Sequence, residues 1–276
     1  MRDLMRTFLR RPAGIVGLAL LGLVCLMAAL APVLYPASPW EMTGVPFSRP
    51  GENGMLLGAD TLGRDVASGV VHGARVSLLI GIASALAASC IGVLLGCIAG
   101  YAGGLVDMAI VRFTELFQTI PTFVLAILLV AILTPSLATI ILAIALVSWP
   151  PLARLTRAQV MSIMRREFVQ AARCQGQSTL SIVTRHVLPN AISPIIVAGS
   201  LTVAAAILIE AALSFMGLGD PNFMSWGYMI GAGRTVIRQA WWMSVFPGMA
   251  ILLTVVAINL VGEALNDALN PRISRA

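Results

Sequence analysis

The sequence contains no lysine, and all 18 of its basic residues are arginines. This absence excludes a P-loop, whose lysine holds the β- and γ-phosphates of a nucleotide, and it excludes lysine nucleophiles and Schiff bases. Charged residues are only 11% of the 276 residues, whereas a soluble domain carries about 25%. Hydrophobic residues make up 58%. The composition therefore indicates an integral membrane protein.

The patterns of a catalytic or metal site are also lacking. The chain has no G-x-S-x-G and no H-E-x-x-H motif, and its four cysteines form no C-x-x-C pair. The two histidines, His72 and His186, have no metal-ligand spacing around them, and we expect both at the surface. We therefore expect a non-enzymatic chain that binds no cofactor and no metal directly.

Six apolar stretches have the length of a membrane-spanning helix, about 20 residues. They show no alternation of period two, which favours helices over a β-barrel. The first stretch resembles a signal peptide in part, but its apolar run from Ile15 to Ala31 has 17 residues and favours an uncleaved helix. The sequence predicts an all-α integral membrane protein with spans at residues 14–35, 76–101, 110–133, 136–156, 191–216 and 244–266.

The arginines predict the orientation of these spans. With both termini in the cytoplasm, thirteen arginines lie in inside segments and five in outside segments. Positive charge is retained on the cytoplasmic side of membrane proteins. This topology explains the net charge of +6 without nucleic acid. We expect a multi-pass membrane protein surrounded by lipid.

The outside loop from residue 36 to about 75 is longer than a helical hairpin needs. Residues 1–58 comprise the tail, the first span and the irregular start of this loop. Residues 59–75 are predicted as an amphipathic helix on the periplasmic surface, with Asp60 as N-cap and Val66 and Val70 on the apolar face. A plain linker and a partner-binding element fit this pattern equally. The other five spans form a transmembrane domain over 76–266, and 267–276 is a cytoplasmic tail.

The second long outside loop, residues 217–243, carries three tryptophans. Trp226, Trp241 and Trp242 are typical of an aromatic belt at the membrane–water interface. A gate or a docking surface is the alternative interpretation.

Two features inside the spans stand out. Small residues recur at every fourth position in the second span, which predicts close packing against another helix. Glu210 is the one isolated acidic residue within a span and is therefore our candidate for a polar pathway. The small-residue row consists of Gly92, Gly96, Gly100 and Gly104.

The inside segment between the fourth and fifth spans carries six arginines and one glutamate. Residues 167–173 favour helix, and Gly176 is a suitable C-terminal break. A second short helix can begin at Ser178 or Thr179 and end at Pro189. Two short helices joined by a sharp turn form a compact projection into the cytoplasm, which could equally be an ordinary surface loop.

This segment resembles the cytoplasmic signature of ATP-binding-cassette importer permeases, E-A-A, three residues, G, nine residues, I-x-L-P. Every spacing matches, although Gln170 replaces the Glu and His186 replaces the Ile. Other strings agree with the permeases of dipeptide, oligopeptide and nickel importers, among them EFVQAAR, RHVLPN, LGADTLGRDV, GYAGGLVD and SFMGLG. The chain is similar to the second-type permease of that family over nearly its whole length.

The resemblance implies a type I importer permease fold that forms half of a translocation pathway with a sister permease. It implies a coupling segment at about 164–189 that binds one of two P-loop ATPase subunits, which use ATP and Mg²⁺. It also implies a location in the bacterial inner membrane and an extracytoplasmic solute-binding protein that delivers substrate. The positions it assigns to ATPase coupling are Glu167, Gln170, Ala171, Ala172, Arg173, Gly176, His186, Leu188 and Pro189.

Three alternatives remain open at this stage. Nickel or a metal chelate could replace short peptides as the substrate, since both kinds of importer share these motifs. An ion-coupled secondary transporter should show inverted repeats and several charges at mid-membrane, of which the sequence has one isolated Glu. A non-transporting membrane scaffold or sensor would not need the matched spacing.

Overall fold

The computed structural model describes residue 8 and residues 11–269, and helices form most of this part of the chain. Five helices are long and apolar enough to span a membrane, and a bent helix pair gives a sixth span if the pair is counted as one. These elements agree with the predicted number of spans. The helices are α1 Pro12–Leu34, α2 Val66–Ala102, α3 Gly104–Thr119, α4 Thr122–Leu133, α5 Leu137–Met164, α6 Glu167–Cys174, α7 Thr179–Ile182, α8 Leu188–Phe215, α9 Trp226–Gly233 and α10 Trp242–Leu269.

The first and last spans pack side by side. A Cβ built on Gly17 would lie 2.8 Å from the Cβ of Leu260, so the glycine allows close approach. Arg11 and Asp267 form an ion pair at 3.4 Å where the two helices meet. The beginning and the end of the described chain therefore lie at one face, which we call the terminal face. The other N-terminal arginines and residues 270–276 lie outside the described residues.

The second span differs from its prediction. The expected separate helix at 59–75 is wrong, because α2 begins at Val66 and continues unbroken for 37 residues, about 55 Å. Asp65, and not Asp60, caps it, since the Asp65 carboxylate accepts from the Ala67 N–H at 2.8 Å. Asp60 instead accepts the Leu62 and Arg64 N–H groups within a turn. Residues 66–75 contain no proline, and the helix runs through Gly69 and Gly73 directly into the span.

The predicted small-residue row on α2 packs against α5. A Cβ on Gly92 would lie 2.7 Å from the Leu152 Cβ, and one on Gly96 would lie 2.5 Å from the Ala153 carbonyl oxygen. Gly100 meets Val160 in the same way. Gly104 does not belong to this row, because it begins α3 at φ +53° with open space around it. The backbone turns at Gly103, after the end of α2, so Gly104 does not continue the helix face that carries the other three glycines.

The third span, predicted at residues 110–133, is formed by two helices joined at a bend. Helices α3 and α4 meet at an angle of 83°. Pro121 causes the break, because a proline disfavours helical geometry in the residue before it and lacks an N–H to donate. Ile120 is accordingly extended, with φ −93° and ψ 130°.

The tryptophans of the 217–243 segment are mostly buried. Trp226 and Trp242 are 0% and 3% exposed, so the aromatic-belt prediction is wrong for both. The Trp226 indole N–H donates to the Val70 carbonyl at 2.8 Å, and that of Trp242 donates to Ala59 at 3.0 Å. The Trp226 bond ties the 217–243 segment to the start of α2, and the Trp242 bond ties it to the 36–65 segment, at the face opposite the terminal face. Only Trp241 of the three is exposed.

We expect Gly96→Leu to lower the melting temperature of the purified protein markedly. Its side chain would meet the α5 backbone, which cannot shift cheaply, so the cost should be about 1–3 kcal/mol or more. Gly22→Leu is the matched control, because a Cβ on Gly22 of α1 meets nothing within 4 Å. Thermal unfolding in detergent measures both variants, and equal melting temperatures would contradict the close α2–α5 packing.

Candidate functional site

The 164–189 segment joins α5 to α8 at the terminal face. Helix α5 ends at Met164, α6 follows after two residues, and a turn at Gly176 leads to α7. The Tyr101 hydroxyl at the end of α2 donates to the Thr179 hydroxyl at 2.9 Å. The segment is therefore a short helical hairpin held against the ends of two spans.

One face of α6 fixes the hairpin to the membrane domain. Val169 and Ala172 are buried in a cluster with Ile163, Ile182 and Val187. The remaining residues of α6 are exposed. The helix thus presents one surface to the surroundings on a rigid base. The exposed positions are Glu167, Phe168, Gln170, Ala171, Arg173 and Cys174.

Gly176 ends α6 as the sequence predicts. Its φ is +73°, in the left-handed region that glycine adopts without strain. The Gly176 N–H donates to the Arg173 carbonyl at 2.9 Å and the Gln177 N–H donates to Ala172 at 3.2 Å. This pair of bonds is a Schellman motif, which satisfies the last carbonyls of the helix. The sharp turn between the two short helices depends on it.

The second short helix does not end at Pro189 as expected. Ser178 caps α7, a π turn follows over Val183–Val187, and α8 then begins at Leu188. Pro189 lies in the first turn of α8, where a missing N–H costs little. The hairpin is therefore continuous with the fifth span, so a displacement of α7 moves the end of α8 with it.

The two departures from the family signature have local partners. The Gln170 amide donates to the Met164 carbonyl at 3.1 Å, at the end of α5. A glutamate could not donate this bond. The His186 Nε2 lies 2.9 Å from the Gln177 Oε1, so the half-buried ring contacts the turn after Gly176. His186 is thus a hairpin contact, where we expected an ordinary surface residue.

Arg173 and Tyr101 form a contact that sequence reasoning missed. The Arg173 guanidinium carbon lies 5.9 Å from the centre of the Tyr101 ring, within cation–π range. Tyr101 belongs to the GYAGG string at the end of α2, but its pairing with residue 173 has no sequence signal. The contact links α6 to the second span.

Glu210 lies inside the subunit and not on an exposed surface. It is 1% exposed, and its Oε1 accepts from the Ser214 hydroxyl at 2.8 Å and the Ser225 hydroxyl at 2.6 Å. Ser225 in turn caps α9. The carboxyl group therefore connects α8 to the start of α9. The role of Glu210 in a polar pathway stays a prediction.

The arrangement as a whole suits a contact with another macromolecule. Over residues 11–269 no group of three His, Cys, Asp or Glu side chains is placed to hold a metal ion. The hairpin offers a firmly held, mixed polar and apolar helix surface that continues into two spans.

The chain matches two family models. Residues 92–275 match the binding-protein-dependent transport system inner membrane component. Residues 1–46 match the N-terminal TM domain of oligopeptide transport permease C.

Curated relatives align over almost the entire chain. A di/tripeptide transport system permease protein DppC of Pseudomonas aeruginosa is 40% identical, with 100% of this chain and 93% of the relative covered. A dipeptide transport system permease protein DppC of Bacillus subtilis is 38% identical, with 99% and 86% covered.

A solved structure of the MetNI methionine ABC transporter, in an inward-facing conformation, shares the fold. Its TM-score is 0.59 at 18% identity, and the match covers 73% of this chain and 96% of that chain. The type I importer permease fold predicted from the sequence is confirmed. The chain belongs to the family of binding-protein-dependent transport system inner membrane components, as a multi-pass permease subunit.

Proposed function

We propose that this permease subunit forms half of the pathway through which an ATP-driven importer takes up short peptides. The observation that carries the proposal is the α6 hairpin, whose exposed face is held by Val169, Ala172 and the Gly176 turn. The peptide substrate is supported by the curated relatives, whose names specify dipeptide or di/tripeptide transport.

In this proposal residues 164–189 are the coupling segment and bind a partner ATPase. The chain has no lysine, so it has no P-loop of its own and its energy must come through a contact surface. Two ATPase subunits hydrolyse ATP with Mg²⁺, and this chain contributes one coupling segment. Nucleotide binding moves the segment and so shifts the spans between two states.

A sister permease and an extracytoplasmic solute-binding protein complete the assembly. Many large apolar side chains on the spans are exposed in the single subunit, as expected of surfaces covered by lipid or by a sister subunit. The arginine distribution supports an orientation with both termini and the coupling segment in the cytoplasm. The 36–65 and 217–243 segments, which the Trp242 bond ties together, then face the binding protein.

Uptake by the reconstituted complex tests the substrate directly. Liposomes should contain this subunit with its sister permease, its ATPases and the binding protein, and receive radiolabelled dipeptide or nickel. We expect ATP-dependent accumulation of the dipeptide and not of nickel. Nickel uptake without dipeptide uptake would replace the peptide assignment, and uptake driven by an ion gradient without ATP would overturn the importer assignment.

Replacing Gly176 should separate ATP hydrolysis from transport. Gly176→Val places a β-branched residue at φ +73°, which strains the turn by about 1–2 kcal/mol and displaces the exposed face of α6. We expect normal membrane insertion, residual ATP hydrolysis and strongly reduced peptide uptake per ATP. Gly176→Asn is the matched control because asparagine tolerates the left-handed region. Equal uptake per ATP by the two variants would argue against the coupling role.

Substitutions at Glu210 distinguish ATP-driven import from ion-coupled transport. Its Oε1 accepts both hydroxyl bonds, and a glutamine oxygen can accept them as well. We expect Glu210→Gln to keep most of the ATP-dependent uptake. Glu210→Ala leaves two buried hydroxyls without acceptors and should destabilise the subunit by about 1–3 kcal/mol. Loss of uptake in a well-folded Glu210→Gln complex would indicate that this carboxyl carries a proton or ion during transport.

A further inference from the structure

Helix α3, residues 104–119, is an arm with a break at each end. Gly103 and Gly104 both have positive φ, at +63° and +53°, and separate the arm from α2. At the other end the chain turns by 83° before α4. Thr114 is the only residue of the arm that is fully buried. Helix continuity therefore does not fix the position of α3, and side-chain contacts must do so.

The arm is joined to α5 by a two-pronged ion pair. The Arg157 Nε donates to the Asp107 Oδ1, and the Arg157 Nη2 donates to Oδ2 at 2.6 Å. The two side chains are 31% and 17% exposed, so water screens them less than a fully exposed pair. A guanidinium and a carboxylate that meet through two parallel bonds fix orientation as well as distance.

Arg157 itself is firmly held. A Cβ built on Gly96 would lie 3.0 Å from the Arg157 backbone nitrogen, and one on Gly100 would lie 2.8 Å from its carbonyl oxygen. The residue therefore lies within the close contact between α2 and α5. It precedes the end of α5 at Met164 by seven residues, about 10 Å along the helix. The coupling segment begins directly beyond that end.

A second contact between the arm and α5 is apolar. The rings of Phe113 and Phe117 lie 5.8 Å and 5.3 Å from the Trp149 ring, between centroids. These ring contacts lack the two parallel charge-assisted hydrogen bonds by which Arg157 and Asp107 fix both distance and orientation. The Arg157–Asp107 pair is the contact that sets the position of the arm along α5.

We propose that Asp107 and Arg157 are positioning residues that make the α3 arm follow the coupling segment. Displacement of α6 moves the end of α5, and the ion pair transmits this movement to α3. The break at Pro121 lets the arm move without dragging α4. The proposal rests on the proposed function, because it assumes that α6 is displaced by a partner ATPase.

Uptake and ATP hydrolysis by the reconstituted complex test this role. Asp107→Asn and Arg157→Lys each remove the two-pronged geometry, and the double variant Asp107→Arg with Arg157→Asp reverses the charges. Glu115→Gln is the matched control, since Glu115 pairs with Arg112 at 2.9 Å on the same arm but ties it to no other helix. We expect peptide uptake per ATP to fall roughly fivefold or more in the single variants, the lower end of a typical coupling.

We expect Glu115→Gln and the charge-reversed double variant to take up nearly as much peptide per ATP as the wild type. Spin labels at Leu116 on the arm and Ser162 on α5, both exposed, report whether the two helices keep a fixed separation with and without ATP. We expect one narrow distance in the wild type and a broad or nucleotide-dependent distance in Asp107→Asn. If the complex with Asp107→Asn does not assemble, uptake per ATP and the label distance are measured in Arg157→Lys, which keeps the positive charge.

Three results would overturn the proposal. The first is peptide uptake per ATP at the wild-type level in both Asp107→Asn and Arg157→Lys. The second is a loss of uptake per ATP in Glu115→Gln as large as in those variants. The third is a label distance equal to that of the wild type in a variant whose uptake per ATP has fallen. Failure of the wild-type complex itself to couple ATP to uptake would instead overturn the proposed function, so the two failures are distinguishable.

Discussion

The close contact between α2 and α5 is the constraint on which the rest of the structure depends. Gly92, Gly96 and Gly100 bring the two backbones together, and no larger side chain fits at these positions. Because lipid offers no hydrophobic driving force between spans, such packing is a main source of cohesion within the membrane. It makes α2 and α5 a single packed unit, and the α6 hairpin projects from the end of that unit.

The hairpin is attached to the spans at its base and contains a sharp turn at Gly176. Val169 and Ala172 attach α6 to the ends of the spans, and the Gly176 turn leads into α7. The π turn before Leu188 then joins α7 to α8 without an interruption. A contact made on the exposed face of α6 therefore reaches α5 on one side and α8 on the other.

Sequence reasoning was most successful where a single residue type determines the local geometry. Gly176 was predicted as a break because a left-handed residue follows many helices, and the glycine row predicted the packed face of α2. The matched E-A-A spacing located the hairpin itself. Each of these depends on neighbours along the chain and is visible in one sequence.

The failures concern contacts between distant parts of the chain. Tryptophan is a residue type enriched at membrane interfaces. The indole N–H groups of Trp226 and Trp242 nevertheless donate to backbone carbonyls more than 150 residues away. Glu210 is isolated among the charged residues of the sequence, yet Ser225, which lies beyond the end of α8, donates to it. The ion pair of Asp107 with Arg157 joins residues 50 apart. No local pattern encodes such partners.

The central claim is that the exposed face of α6 is where energy enters this subunit. Site-specific photocrosslinking in the assembled complex tests it most directly, with the reactive group placed at Ala171 and, for comparison, at the highly exposed Leu56. We expect position 171 to crosslink to an ATPase subunit in a nucleotide-sensitive manner and position 56 not to crosslink. The absence of an ATPase crosslink at 171, in a complex that transports normally, would contradict it.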